Sequence, residues 1–200
     1  MKFNLVLFIL FPVFLSAQNP VKEAKKFQKE MNKQYGDKEK SPLKEADRAE
    51  FKKLDFFDID AKFAVQAKLD WFEEDSVFMM KTTTARLAKY RRRGVASFMI
   101  NGKELELVFY QNVKGAANPL YKDHYFLPFK DNTNGGESYG GGRYIDLVFE
   151  EQTPETLINF NTAYNPYCAY NGRYSCPIVP SENYIDVEIN AGVKAPADRH

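Results

Sequence analysis

The sequence predicts a mainly β protein of the α+β type, an antiparallel barrel or sandwich of about seven to nine strands led by one or two N-terminal helices. Three observations carry that expectation. From Phe63 onward apolar residues recur at every second position, the period of a strand with one buried face. Asn101-Gly102 stands between two such runs, a dipeptide that closes hairpins because its turn matches strand twist. No helical pattern of roughly 10 to 15 residues separates the runs, so parallel crossover units are not expected.

Taken in order, the chain opens with Met1-Lys2, an uncharged run Phe3 to Leu15, and the small residues Ser16-Ala17. That pattern predicts a secretory signal peptide over residues 1–17, cleaved after Ala17. A retained anchor would need about 20 apolar residues, more than this run supplies. Export to the periplasm or the extracellular space is therefore expected, with no membrane association after cleavage.

Residues 18–40 form a charged helical lead and linker. In the lead, Asn19 caps, Pro20 takes the first helical position, and Val21, Ala24, Phe27 or Gln28, Met31 and Tyr35 make a narrow stripe ending at Gly36. A single β-rich domain is expected over 41–194, with a flexible tail at 195–200. It begins with a second helix in which Ser41 caps, Pro42 opens, and Leu43, Ala46, Glu50 and Leu54 share a face.

Strands follow. Phe63, Val65, Ala67, Leu69 and Trp71 alternate with polar neighbours, and Val77 to Ala85 reads as a second strand. Val95 to Ile100 and Leu105 to Phe109 flank the Asn-Gly turn. Tyr125 to Lys130, Arg143 to Glu150, Thr156 to Asn161 and Tyr184 to Asn190 complete the set. Arg91-Arg92-Arg93 is the only basic run and reads as a solvated turn.

Composition sets limits on function. The 200 residues carry 28 Lys+Arg against 27 Asp+Glu, so no net field gathers polyanions and nucleic acid is not expected as a partner. Seventeen Phe, 12 Tyr and one Trp can build a core without metals or many disulfides. All the tyrosines but Tyr35 lie from Tyr90 onward. The only histidines are His124 and His200, so no metal set and no cofactor motif is expected, and His124 reads as an exposed loop residue.

Polar chemistry concentrates in two places. Cys168 and Cys176 are the only cysteines, and in an exported chain such a pair is expected to form a disulfide. The alternative, a redox-active pair, lacks the two-residue spacing that lowers a thiol pKa. The second place is the glycine-rich stretch Asp131 to Gly142, which contains Tyr139. It lacks the Lys-Ser/Thr pair and following helix of a phosphate loop, and Gly142 stands where a calcium loop needs a bidentate Glu. Two readings stay open for it: a flexible connection using glycine for positive φ, or a backbone cradle for a ligand.

Arg143 favours a ligand there. It shares strand parity with Ile145, Leu147 and Phe149, which turns it inward, and a buried guanidinium must be paired. Asp146, Glu150, Asp186 and Glu188 all take the outward parity, so no inward acid is expected. Arg143 would then meet the anionic group of a small ligand, with Tyr139, Asn161, Tyr164, Asn165 and Asn183 as neutral hydrogen-bonding neighbours.

The runs Phe126 to Thr133 and Gly142 to Leu147, Asn159 to Tyr170, Cys176-Pro177-Ile178-Val179-Pro180 and Glu182-Asn183 together resemble the domain-of-unknown-function family sixteen-eighty-four. Ser41-Pro42-Leu43, Phe51 and Leu54 fit its opening, and the resemblance spans roughly 41 to 194. It implies an exported bacterial protein of unestablished activity. The chain departs from the family pattern at Asn159, Thr162 and Val193, where the family carries Asp, Arg and Glu.

The sequence thus points to a secreted protein that binds a small polar or anionic ligand near the Gly-rich loop, Arg143 and the Asn165-Pro166-Tyr167-Cys168 segment. No catalytic set can be assigned, and no oligomeric state. Alternatives are an envelope-directed hydrolase using Asp131, Glu137 or Asp146 as general base, and an envelope interaction protein working through its charged helices.

Overall fold

A computed structural model describes residues 19–74 and 76–196. The signal-peptide segment and the last four residues of the expected tail lie outside the described residues.

Helix α1 spans Pro20–Gly36, and the Asn19 side chain accepts a hydrogen bond from the Lys22 N–H as its cap. Ala24, Met31 and Tyr35 are its buried positions. The second helix departs from expectation. α2 covers only Glu45–Glu50, with Lys44 as its cap residue. Ser41 is engaged elsewhere, its hydroxyl donating to Tyr35 O at 2.6 Å and accepting from Leu43 N at 3.2 Å, which fixes the chain reversal after α1.

Seven antiparallel strands form one curled sheet: β1 Ala64–Trp71, β2 Val77–Lys81, β3 Leu87–Ile100, β4 Lys103–Asn112, β5 His124–Phe129, β6 Arg143–Val148 and β7 Glu155–Asn159. Their order is β6-β5-β4-β3-β1-β7, with β2 pairing β3 outside that path. A short helix α3, Val113–Ala116, follows β4. At the β3–β4 turn Asn101 and Gly102 have φ of 51° and 76°, the left-handed pair that an Asn-Gly hairpin demands. The expected strand at Tyr184 to Asn190 does not form. That segment is tied by single backbone bonds, Ile185 N to Lys130 O and Asn132 N to Val187 O, while Ile185 and Ile189 enter the core.

The sheet has two apolar faces. One packs the main core, including Ala67, Phe98, Leu107, Phe109, Leu127, Ile145 and Ile158. The other carries Met80, Ala88, Tyr90, Val108 and Tyr110, with Phe126 beside them. A bulge in β3 brings Ala88 and Tyr90 onto that second face. The register with β4 shifts between Arg92 and Gly94, so Tyr90 and Ala96, which have the same parity, point to opposite sides. The arginine run is therefore part of a strand, not a solvated turn. Arg92 reaches Glu182 at 3.2 Å and Arg93 pairs with Glu151.

Gly94 follows the bulge because only hydrogen fits there. A Cβ would lie 2.5 Å from Asp70 O and 2.7 Å from the Phe109 ring. Gly94→Ala is expected to lower unfolding free energy in urea by about 1–3 kcal/mol, through overpacking on both neighbours.

α1 roofs the second face together with the segment around the cysteines. Met31, Tyr35, Leu54 and Val193 form a third apolar cluster with Phe27, Tyr164, Tyr167 and Tyr170. Asn159 anchors the start of the helix, donating from Nδ2 to Pro20 O at 3.0 Å and to Glu23 Oε2 at 2.9 Å.

Candidate functional site

The Gly-rich loop is closed by its own hydrogen bonds rather than left as a loose connection. Asp131 Oδ1 accepts from Thr133 N at 2.8 Å and from Thr133 Oγ1 at 2.6 Å, Thr133 Oγ1 meets Ser138 Oγ at 2.7 Å, and Asp131 N donates to Asn134 Oδ1 at 2.7 Å. These bonds fold the loop back on its own first residue.

That fold-back corrects the expectation for Arg143. The parity reading holds, since Arg143 is 0% exposed beside Ile145 and Leu147. An inward acid does exist, however: Asp131 Oδ2 accepts from Arg143 Nη2 at 2.7 Å. Nη2 also donates to Ile189 O at 2.8 Å, Nη1 donates to Ala191 O, and the guanidinium lies 5.2 Å from the Phe129 ring centroid. Strand parity cannot find Asp131, because it sits in a loop outside the strand whose alternation was being followed. Arg143 thus finds its counter-charge inside the protein, in Asp131, and does not need a bound anion to be paired.

The predicted asparagines are likewise committed. Asn161 bridges Asp60, accepting from its N–H at 3.0 Å and donating to its carbonyl at 2.9 Å. Asn165 donates to Lys194 O at 2.8 Å and Tyr170 OH at 3.0 Å. Asn183 is fully buried and its side chain bonds only backbone groups of Val108 and Pro128. Tyr139 is half-buried beside Cys168. The expected Cys168–Cys176 disulfide is not formed in this structure, where the Cys168 N–H donates to Cys176 Sγ at 3.3 Å.

Of the predicted ligand-binding residues, Tyr164 lines a cavity. A cavity of about 470 Å³ lies between the sheet's second face and its roof. Tyr90, Phe126, Tyr144 and Asp146 form its floor, Phe27, Met31 and Tyr35 come from α1, and Tyr164, Pro166, Tyr167 and Cys176 come from the segment opposite. Backbone bonds of 2.9 Å in both directions between Tyr144 and Tyr164 clamp that segment to β6. His124, exposed at the start of β5, completes the rim.

Asp146 is the charged group of this cavity. The outward parity read from the sequence is correct, but outward here means into the cavity. Its carboxylate accepts from Tyr164 OH at 2.9 Å. The group is open to the cavity while protein on its other sides deprives it of hydration, which raises its pKa above the ordinary carboxylate value. The Tyr164 hydroxyl and His124 oppose that rise. Burial raises the pKa of Tyr90, Tyr144 and Tyr164 as well, so their hydroxyls stay neutral at physiological pH. No Lys or Arg lines this cavity.

What these residues can do chemically follows from that set. Aromatic walls bury a ring, and a carboxylate with no lysine or arginine in the same lining favours a hydrogen-bond donor or a positive charge. The described residues contain no group of three or more His, Cys, Asp or Glu placed to hold a metal ion, and no helix long and apolar enough to cross a membrane.

Residues 49–194 match the family described as Protein of unknown function (DUF1684). The chain is also similar in structure to an uncharacterised protein from gene locus rrnAC0354 of Haloarcula marismortui, solved by solution NMR. That likeness has a TM-score of 0.69 at 26% sequence identity and covers 89% of this chain and 95% of the other. No curated protein matches the chain.

Proposed function

This chain belongs to the DUF1684 family of proteins of unknown function, and we propose on that footing that it binds a small molecule in the cavity beneath α1. The single observation that supports this reading is Asp146, an accessible carboxylate held by Tyr164 in a cavity of aromatic rings. The ligand is ring-bearing with a hydrogen-bond donor or cationic nitrogen, since an anion entering this site would meet Asp146 with no compensating lysine or arginine. Export, if the amino-terminal segment acts as a signal peptide, places this binding outside the cytoplasm. Comparing the amino terminus of the secreted protein with Met1 tests that part.

Thermal shift with benzylamine and benzoate tests the binding chemistry. Benzylamine at about one hundred times its Kd raises Tm by about 5 °C or more, because ligand bound only to the folded state adds about 2.7 kcal/mol. Benzoate leaves Tm unchanged. An equal response to both, or to benzoate alone, sinks the reading.

Asp146→Asn abolishes the benzylamine response and also raises the Tm of the ligand-free protein at pH 7. The sign follows from linkage. With the folded pKa above the unfolded one, the folded state holds more protons between the two values, so stability falls as pH climbs through that window. The variant loses that dependence, so its Tm advantage over the parent is larger at pH 7 than at pH 3. Equal differences at both pH values contradict the assignment.

A second reading makes Asp146 a general base toward a bound substrate, favoured by a raised carboxyl pKa inside a cavity beside a neutral tyrosine donor. Turnover of a ligand found by the binding screen, lost in Asp146→Asn, selects it.

A further inference from the structure

The two cysteines occupy the partition between two cavities. Cys176 lines the cavity holding Asp146, while Cys168 lines a second of about 330 Å³ beside Leu43, Phe51, Tyr170 and Lys194. Their placement is set from different sides. Cys176 is held to the end of β2, its N–H donating to Thr83 Oγ1 at 3.1 Å and its carbonyl accepting from Thr83 N at 2.9 Å. Cys168 sits on a short 3-10 turn, Tyr167–Ala169, and its N–H donates to Cys176 Sγ at 3.3 Å.

We propose that Cys168 and Cys176 form a thiol–disulfide exchange site for low-molecular-weight disulfides, with Cys168 as the attacking sulfur and Cys176 as the resolving one. The geometry separates the roles. Cys168 is half-buried at the edge of an open cavity, whereas Cys176 is 8% exposed and already in contact with its partner. The Cys176 thiol and the Thr83 and Tyr139 hydroxyls are the neighbours that favour a thiolate on Cys168. These donors bring the Cys168 pKa down to about 6, and the same shared proton pushes Cys176 up. The shared proton thus favours the thiolate on Cys168, the more accessible of the two sulfurs.

The reaction balances within the two partners. The Cys168 thiolate attacks one sulfur of the small disulfide, forming a mixed S–S bond and expelling a thiolate that takes a proton from water. Cys176 then gives its proton to solvent and attacks Cys168 Sγ, closing the protein disulfide and releasing the second thiolate. The protein is oxidised by two electrons, and the small disulfide is reduced to two thiols. The inference does not rest on the ligand reading: Cys176 borders the Asp146 cavity, but the attacking Cys168 opens on the other one.

The experiment uses the reduced full chain, glutathione disulfide at pH 7, acid quenching and intact mass after alkylation. The parent is expected to lose both alkylatable thiols and to recover them in excess reduced glutathione. Cys176→Ser stops at one glutathione attached to Cys168, and Cys168→Ser reacts about tenfold more slowly. In the parent, limited iodoacetamide modifies Cys168 first, a readout that does not depend on either variant folding. The proposal is overturned if the parent remains a dithiol, if reduced glutathione does not reopen its bond, or if Cys168→Ser captures glutathione as fast as Cys176→Ser.

Discussion

Asp131→Ala lowers the unfolding free energy by about 3–5 kcal/mol in urea denaturation, a Tm loss of about 10 °C. The reason is the state of its partner. Arg143 and Asp131 are both without solvent exposure in their side chains and lie 2.7 Å apart, so removing the acid leaves a guanidinium with no water to replace it. Desolvation already pulls the Arg143 pKa down, and Asp131 is what opposes that pull. The Gly-rich loop loses its organising acceptor at the same time, since Asp131 Oδ1 holds Thr133 and the Ile189 N–H. Arg143→Met alone is also destabilising, but the double variant Asp131→Leu with Arg143→Met loses less than the sum, because neither charge is then stranded. A loss below about 1 kcal/mol for Asp131→Ala would mean that water reaches the pair.

Asn183→Ala is expected to cost about 3 kcal/mol or more, by leaving three buried backbone groups without partners. Tyr110 pairs with Phe126 between β4 and β5, which sets Val108 opposite Pro128. Such a pair would exchange two backbone bonds, but proline has no N–H to give. The Asn183 amide fills the gap: its Oδ1 accepts from Val108 N at 3.0 Å, and its Nδ2 donates to Val108 O at 2.8 Å and Pro128 O at 2.6 Å. Asn183→Asp keeps the acceptor and loses the donor, so it is destabilising too. Adding Pro128→Val to Asn183→Ala supplies the missing N–H and lets the strands pair directly, which restores part of the stability. Faster hydrogen exchange at the Val108 amide in Asn183→Ala, slowed again in the double variant, checks the mechanism. No recovery in the double variant would show that Asn183 acts through packing.

The legible parts of this protein are those decided within a few residues of themselves. Asn19 and Pro20 start α1 where their chemistry requires, the alternation of Val65, Ala67 and Leu69 marks β1, and Asn101-Gly102 closes the hairpin. Parity also turned Arg143 inward and Asp146 outward correctly. It went no further, because outward from a sheet means solvent only when nothing covers that face. The β3 bulge broke the alternation after Tyr90, and its only trace in the sequence is Gly94 at the end of the arginine run. Asn183 had a signal as well: Pro128 inside an apolar strand implies an orphaned carbonyl on its neighbour, and a buried amide is one way to satisfy it.

The sequence by itself determined the family, the mainly β class and the facing of residues on the regular strands, since these follow from motif, period and turn chemistry. The tertiary structure alone decided which polar residue is structural and which faces open space. Asp131 lies 12 positions from Arg143, and Asn183 lies 75 from Val108, so their partnerships exist only after distant segments pack. The same packing lays α1 across the second face of the sheet, and so makes a cavity wall of Asp146, which the chain order leaves on a surface.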